Sequence, residues 1–378
     1  MIEIRLNRLE VQQRIREIVK ALGASALHYT QLDRIIAEKR GFRQDPLVLG
    51  YHRVVRDYES AASRSIAPNL ISVETLERQI DFLSEQFEFI TLDRLVSVIE
   101  GREVANRPIA AITFDDGYRD VYLNAYPMLR RKGIPFAVFV VSDLVGTQNL
   151  LPHDEIYLLT SEVISRGIAE QAYQPNIFNY ENILSTESSE SLCNRLISAR
   201  NAFTATRTIL ESIKLKGIKS LIAHLNRLVK IDNITKDEFK LVDWDMLSEM
   251  AANGVTIGSH TKSHTILAHE GLELVKDEIA NSRKDLERNL RLPIKHFAYP
   301  DGSFDRAAIR EIRRAGYISA HTTCSHRDSN NPLMTISRRL LWEKSSMNGF
   351  NRFSPSVLAC QANGFFDPAA KCHRDHWG

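Results

Sequence analysis

The chain has 378 residues, 43% hydrophobic and 25% charged, enough apolar material for a sizeable core in one large domain with insertions or in two domains. Its 49 basic and 47 acidic side chains leave a formal net charge of +2, which supplies no field for gathering nucleic acid or an acidic membrane surface. The N-terminus, MIEIRLNRLEVQQRIREIVKALG, is charged and amphipathic and lacks the apolar run of a signal peptide or transmembrane segment, so the expected location is cytoplasmic, with export by another route left open.

Residues 1–45 read as an N-terminal helical extension, with Ile15, Ile18, Val19 and Leu22 recurring three and four apart. From residue 46 to 350, short apolar runs alternate with helical patterns. The runs LVLGY (47–51), IAAITF (109–114), IPFAVFVV (134–141), VTIGS (255–259), HFAY (296–299) and YISAHTT (317–323) predict strands. Residues 73–87, 119–132, 244–252 and 306–315 predict helices, and Gly254 and Gly316 stand where left-handed helix ends fit.

Strands this uniformly apolar are buried on both faces, which argues for repeated β-α units in a parallel barrel or a doubly wound sheet. Residues 151–240 break the rhythm with a polar, mostly helical insertion, expected to wall or cover a site. Residues 351–378 read as a polar tail. Cys193, Cys324, Cys360 and Cys372 are too few and too scattered for a disulfide framework and read as reduced thiols. Cys372 lies beside His373 and His376, but the cysteine spacing matches no compact metal finger.

Polar residues gather where the predicted strands end, the place where parallel α/β folds carry active groups. IAAITF runs into Asp115, Asp116 and Gly117; VTIG into Ser259, His260 and His264; HFAY into Pro300, Asp301 and Gly302. LVLGY ends at His52, and His321 lies in the last run. Two carboxylates side by side at the end of a buried strand call for a cation. His260 and His264, four apart, reach one side of a helical turn or tight loop, and with one aspartate they make a two-histidine, one-carboxylate set for a divalent ion. The other aspartate is then placed to act as a base. Taken singly, Asp-Asp-Gly reads as a turn and His-x-x-x-His as a helix face; their joint placement after strands makes the case.

TFDDGY, YLNAYPMLRRKGIPFAVFV, VTIGSHTKSH and HFAYPDG together resemble the NodB-type polysaccharide deacetylases, carbohydrate esterase family 4. VLGYHRV and WDMLSEMAANG resemble segments preceding those motifs in long members, so the likeness covers about 46–150 and 241–340. The resemblance implies a distorted (β/α) barrel and removal of N- or O-acetyl groups from an acetylated carbohydrate by metal-activated water. By motif, Asp115 matches the general base and Asp116, His260 and His264 the ligands of a divalent metal, usually Zn2+. The YPDG turn, through Pro300 and the Asp301 backbone, together with Tyr118, His52 and His321, is assigned to substrate or oxyanion contacts.

Two family features are missing. The arginine that orients the base is replaced by Ala298, and Arg338 or Arg339 is the substitute expected from another strand. No leucine-x-histidine segment follows residue 340, so the general acid is unassigned among His52, His321 and His326, which favours slow turnover or an O-acetyl ester. A lipid-linked or nucleotide-linked sugar is the alternative substrate, and an inactive carbohydrate-binding homologue the alternative of a different class.

Overall fold

The protein is described by a computed structural model covering residues 8–32, 35, 46–178, 184, 188–324 and 327–366. Its strands are β1 (Leu47–Tyr51), β2 (Arg53–Val55), β3 (Leu70–Ser72), β4 (Glu88–Phe89), β5 (Ile109–Phe114), β6 (Ala137–Val140), β7 (Thr256–Ser259), β8 (His296–Ala298), β9 (Ser319–Thr322), β10 (Ile336–Ser337) and β11 (Arg339–Leu340). The main sheet runs β10-β9-β8-β7-β6-β5-β1-β11, with β4 added beside β5, and its pairings are parallel.

The two ends of that order are joined in sequence: only Arg338 separates β10 from β11. Ile336 pairs with His321 on β9, while Leu340 pairs with Gly50 on β1. In one residue the chain passes from one edge of the sheet to the other, and the sheet becomes a nearly closed barrel.

Side-chain alternation along each strand divides the core in two. Leu47, Leu49, Ile112, Phe114 and Val138 point outward beneath the helices. Val48, Ala111, Ala137, Phe139, Ala298 and Ile336 pack inside the barrel with Leu92 and Leu95. Those leucines belong to the helix Leu92–Ile99, which plugs the amino-terminal mouth; its Asp93 meets Lys295, the residue just before β8. Gly258 is required inside, since a Cβ there would stand 2.5 Å from the Phe139 ring.

The expected strands are present, and Gly254 and Gly316 have φ of 85° and 86°, the left-handed helix ends anticipated. The helix expected over 119–132 is divided into a wide π turn, Val121–Ala125, and a helix, Tyr126–Arg131, because Pro127 has no N–H to continue the ladder. The insertion carries its own core, with Ile156, Leu159, Leu192, Ile209, Leu221 and Phe239 among its buried residues. The segment expected to be a polar tail instead contains a buried helix, Pro355–Ala362. Its Val357 and Cys360 pack against Ala24 of the helix Arg8–Tyr29, so the two terminal segments share an apolar face. His326, Cys372, His373 and His376 lie outside the described residues. None of the described cysteines is in a disulfide, and no described helix is long and apolar enough to cross a membrane.

Candidate active site

The carboxyl ends of β5, β7 and β8 converge on one cluster. Among the described residues, seven non-glycine residues have positive φ, and four of them, Asp116, Thr261, His264 and Asp301, sit on the loops leaving these strands. Each such residue costs on the order of 1–3 kcal/mol, a strain that collects at sites over-determined by their surroundings. Asp116 and Gly117, at φ of 72° and 76°, form two successive left-handed residues that turn the chain sharply and leave the Asp116 side chain inside.

Asp116 is fully buried and neither of its carboxylate oxygens has a hydrogen-bond partner in the protein. A carboxylate in that condition needs a cation. Its Oδ1 lies 3.5 Å from His260 Nε2 and 3.2 Å from His264 Nε2, and the three candidate ligand atoms fall within 4.8 Å of one another. His260 Nδ1 is 2.8 Å from the Ala298 carbonyl, to which it donates, leaving the Nε2 lone pair for a metal. Burial pushes the His260 pKa down to about 4, so the ring is neutral, as a ligand must be. Two imidazole nitrogens and one carboxylate oxygen fit a divalent ion of the zinc type.

The two histidines are not on a helix; they bracket a tight turn with positive φ at Thr261 and His264. Glu278, buried on the helix Leu272–Leu290, holds that turn. Its carboxylate accepts from the backbone N–H of Lys262 and of Ser263, both at 2.9 Å, and from the Ser263 hydroxyl at 2.6 Å.

Asp115 is placed differently from its neighbour. Arg338, at the barrel seam, reaches it with two parallel bonds, Nη1 to Oδ1 at 2.5 Å and Nη2 to Oδ2 at 2.7 Å. Arg338 Nη1 also donates to Thr113 Oγ1 at 3.1 Å. Burial works to raise the Asp115 carboxyl, but the Arg338 charge and hydrogen bonds, together with His260 and His52, outweigh it and hold the group below the usual carboxylate range. His52 Nε2 flanks the pair, 4.0 Å from Asp115 Oδ2. Arg339, the other candidate cation, is turned away and donates to the Gln361 carbonyl.

Two of the other expected contacts, Tyr118 and His321, fall elsewhere. Tyr118 is fully buried beneath the site, and His321 is sealed inside the barrel against Ser319 and Phe139, with no exposed surface to offer a polymer. Its strand parity sends it inward, with Ser319 two residues earlier, and not to the rim. Pro300 is buried, while Asp301 is exposed at φ 55° on the turn after β8.

Sequence reasoning missed the insertion's own contribution. The helix Pro152–Ser165 begins with His153 and Asp154, and Tyr118 donates to Asp154 Oδ2 at 2.6 Å. With its proton so committed, the Tyr118 oxygen accepts from His153 Nε2 at 3.0 Å, and that nitrogen stands 3.9 Å from Asp116 Oδ2. The only forewarning is PHDE itself, a proline and two acids at a helix start. Glu278 gives no signal in a run of charged helix residues.

The fold and the loop cluster define a nearly closed parallel (β/α) barrel of the NodB deacetylase type. A family model described as polysaccharide deacetylase matches residues 102–173 and 202–320, and the chain belongs to that family. A poly-β-1,6-N-acetyl-D-glucosamine N-deacetylase of Staphylococcus aureus is 26% identical over 163 residues, 41% of this chain and 53% of that protein. The match thus spans about half the length of that relative. The Staphylococcus epidermidis protein of the same name is 24% identical over 230 residues, 57% of this chain and 72% of its own. Among solved structures, the Streptococcus pyogenes deacetylase PplD, in complex with acetate, superposes with a TM-score of 0.51 at 15% identity, over 83% of this chain and 96% of that one. IcaB from Ammonifex degensii gives 0.51 at 19% identity, over 84% and 97%. At such identities these likenesses speak for the fold.

Proposed function

We propose that the protein is a metal-dependent hydrolase that removes N- or O-linked acetyl groups from a carbohydrate, with Asp115 as general base. The observation that carries this reading is the contrast between adjacent carboxylates. Asp116 is buried with no hydrogen-bond partner but two imidazole nitrogens, and Asp115 is buried with a bidentate arginine. A divalent ion held by Asp116, His260 and His264 would polarise the acetyl carbonyl and acidify a water molecule beside it.

The chain's own residues do the rest. Asp115, kept ionised by Arg338, takes the proton from the attacking water. Arg338 fixes the direction in which the carboxylate faces, because a bidentate guanidinium pair has one geometry. The turn at Asp301 supplies backbone beside the developing oxyanion. The names of the staphylococcal relatives support an acetylated amino sugar polymer as the substrate class. A lipid- or nucleotide-linked sugar would use the same chemistry.

Acetate release from a panel of acetylated oligosaccharides and sugar-lipid precursors tests the proposal, with chelated protein and Asp115→Asn as controls. Release abolished by both treatments is expected. Release that survives both refutes the mechanism.

A further inference from the structure

The barrel interior holds a file of polar side chains that the reaction does not use. It is met at the plugged mouth by the exposed Asp93, whose carboxylate is held by Lys295 Nζ at 3.0 and 3.1 Å and lies 3.4 Å from His296 Nε2. His296 Nδ1 is 2.8 Å from Ser319 Oγ, and Ser319 Oγ is 3.1 Å from His321 Nε2. His296 is 1% exposed and Ser319 and His321 not at all. Barrel interiors are ordinarily filled by branched aliphatic side chains, so two imidazoles and a hydroxyl in a row require a reason.

The file has two unmatched ends. His296 Nε2 has no hydrogen-bond partner except the nearby Asp93 carboxylate, and His321 Nδ1 has none. Arg338 Nε is likewise without one. His321 and the Arg338 guanidinium lie against the same ring, Phe139, at 5.3 and 5.4 Å.

Hydrogen-bond polarity then decides the tautomers. The Asp93 carboxylate can only accept, so His296 carries its proton on Nε2 and accepts at Nδ1 from the Ser319 hydroxyl. The Ser319 oxygen, its proton spent, accepts from His321 Nε2–H. His321 Nδ1 is left as a lone pair in the compartment that holds the Arg338 donor. The reverse polarity would put an N–H at His321 Nδ1, in the interior that it shares with the cationic guanidinium, and leave a lone pair of His296 against a carboxylate. Both ends would then repel. Burial and the Arg338 charge also keep His321 neutral.

We propose that Asp93, His296, Ser319 and His321 form a through-barrel file that fixes the tautomer of His321 and so holds Arg338 in its bidentate grip on Asp115. These are positioning residues for the base, acting from the mouth of the barrel opposite the site. The inference rests on Asp115 being that base, but one arm of its test does not need activity.

The experiment uses the full chain. Long-range 15N NMR of the metal-loaded protein reads the tautomers of His296 and His321, and acetate release reads kcat and KM, for wild type, Ser319→Ala, Asp93→Asn, His321→Phe and His321→Asn. Wild type is expected to show Nε2–H at both histidines, with His321 mixed or reversed in Ser319→Ala and Asp93→Asn. In Ser319→Ala and His321→Phe, kcat is expected to fall about 10-fold with KM and metal affinity unchanged. His321→Asn, which keeps an acceptor near the Nδ1 position, should recover most of that loss. An Nδ1–H tautomer of His321 in wild type overturns the proposal even if no acetylated sugar is turned over. Altered tautomers with unchanged kcat overturn it as well, as does a loss that His321→Asn does not rescue.

Discussion

Replacing Arg338 with methionine removes the guanidinium while keeping most of the side-chain volume, and the outcome follows from burial. Arg338 and Asp115 are 0% and 3% exposed at the side chain, so the carboxylate left behind has neither water nor a counter-charge. Breaking a buried pair in this way costs about 3–5 kcal/mol, a large part of the roughly 5–15 kcal/mol by which a domain is stable. Asp115→Asn in the same chain removes the stranded charge, leaving an amide whose unmet hydrogen bonds cost about 1–3 kcal/mol. The double variant is therefore expected to be more stable than Arg338→Met alone. Urea unfolding of the wild type, both single variants and the double variant closes a mutant cycle, all under chelation so that metal binding does not contribute. Acetate release by Arg338→Met should fall about 100-fold, the penalty typical of a misplaced catalytic group. Strictly additive stability losses, or a loss below about 1 kcal/mol for Arg338→Met, would refute the view that this ion pair holds the proposed base.

Three further outcomes are expected. Glu278→Ala frees the turn that carries both histidines, and metal affinity measured by competition with a chromophoric chelator should weaken about 10- to 100-fold with the fold intact. Gly258→Ala drives a methyl group into the Phe139 ring and to 2.9 Å from the His296 carbonyl, and thermal or urea unfolding should show about 1–3 kcal/mol lost. His321 is buried neutral with its pKa depressed, so below about pH 6.5 the unfolded chain binds a proton that the folded chain refuses. Its contribution to stability is complete above that pH and is lost as the pH falls, by at most about 1.4 kcal/mol per pH unit. In His321→Leu that part of the slope should vanish; an unchanged pH dependence would show that His321 is charged in the native state.

Much of the architecture was legible because parallel strands covered on both faces print themselves as unbroken apolar runs, and LVLGY and IAAITF match β1 and β5 end to end. The motif loops were legible because their polar residues follow those runs directly. The strands β4, β10 and β11, two residues each, were not, since so short a segment is extended only by virtue of its neighbours. The helix Leu272–Leu290 hid behind its charges, its core contact carried by scattered Val275, Ile279 and Leu286. Arg338 could be named only as one of two arginines, because which of them turns inward depends on a register that no local pattern records. His153 was unreadable for a related reason: it belongs to the insertion, and its approach to Asp116 is a matter of docking.

The seam at Arg338 ties assembly to readiness. Asp115 and Arg338 are 223 positions apart, and the arginine reaches the barrel interior only when the last strands join β9 to β1. A chain still emerging from synthesis, or one shortened before residue 336, can build most of the sheet and the candidate ligand set while Asp115, the proposed base, lacks the counter-charge that orients it. Under the proposed function, hydrolytic competence is reserved for the finished barrel, and its appearance during refolding should trail the recovery of helical structure and coincide with closure.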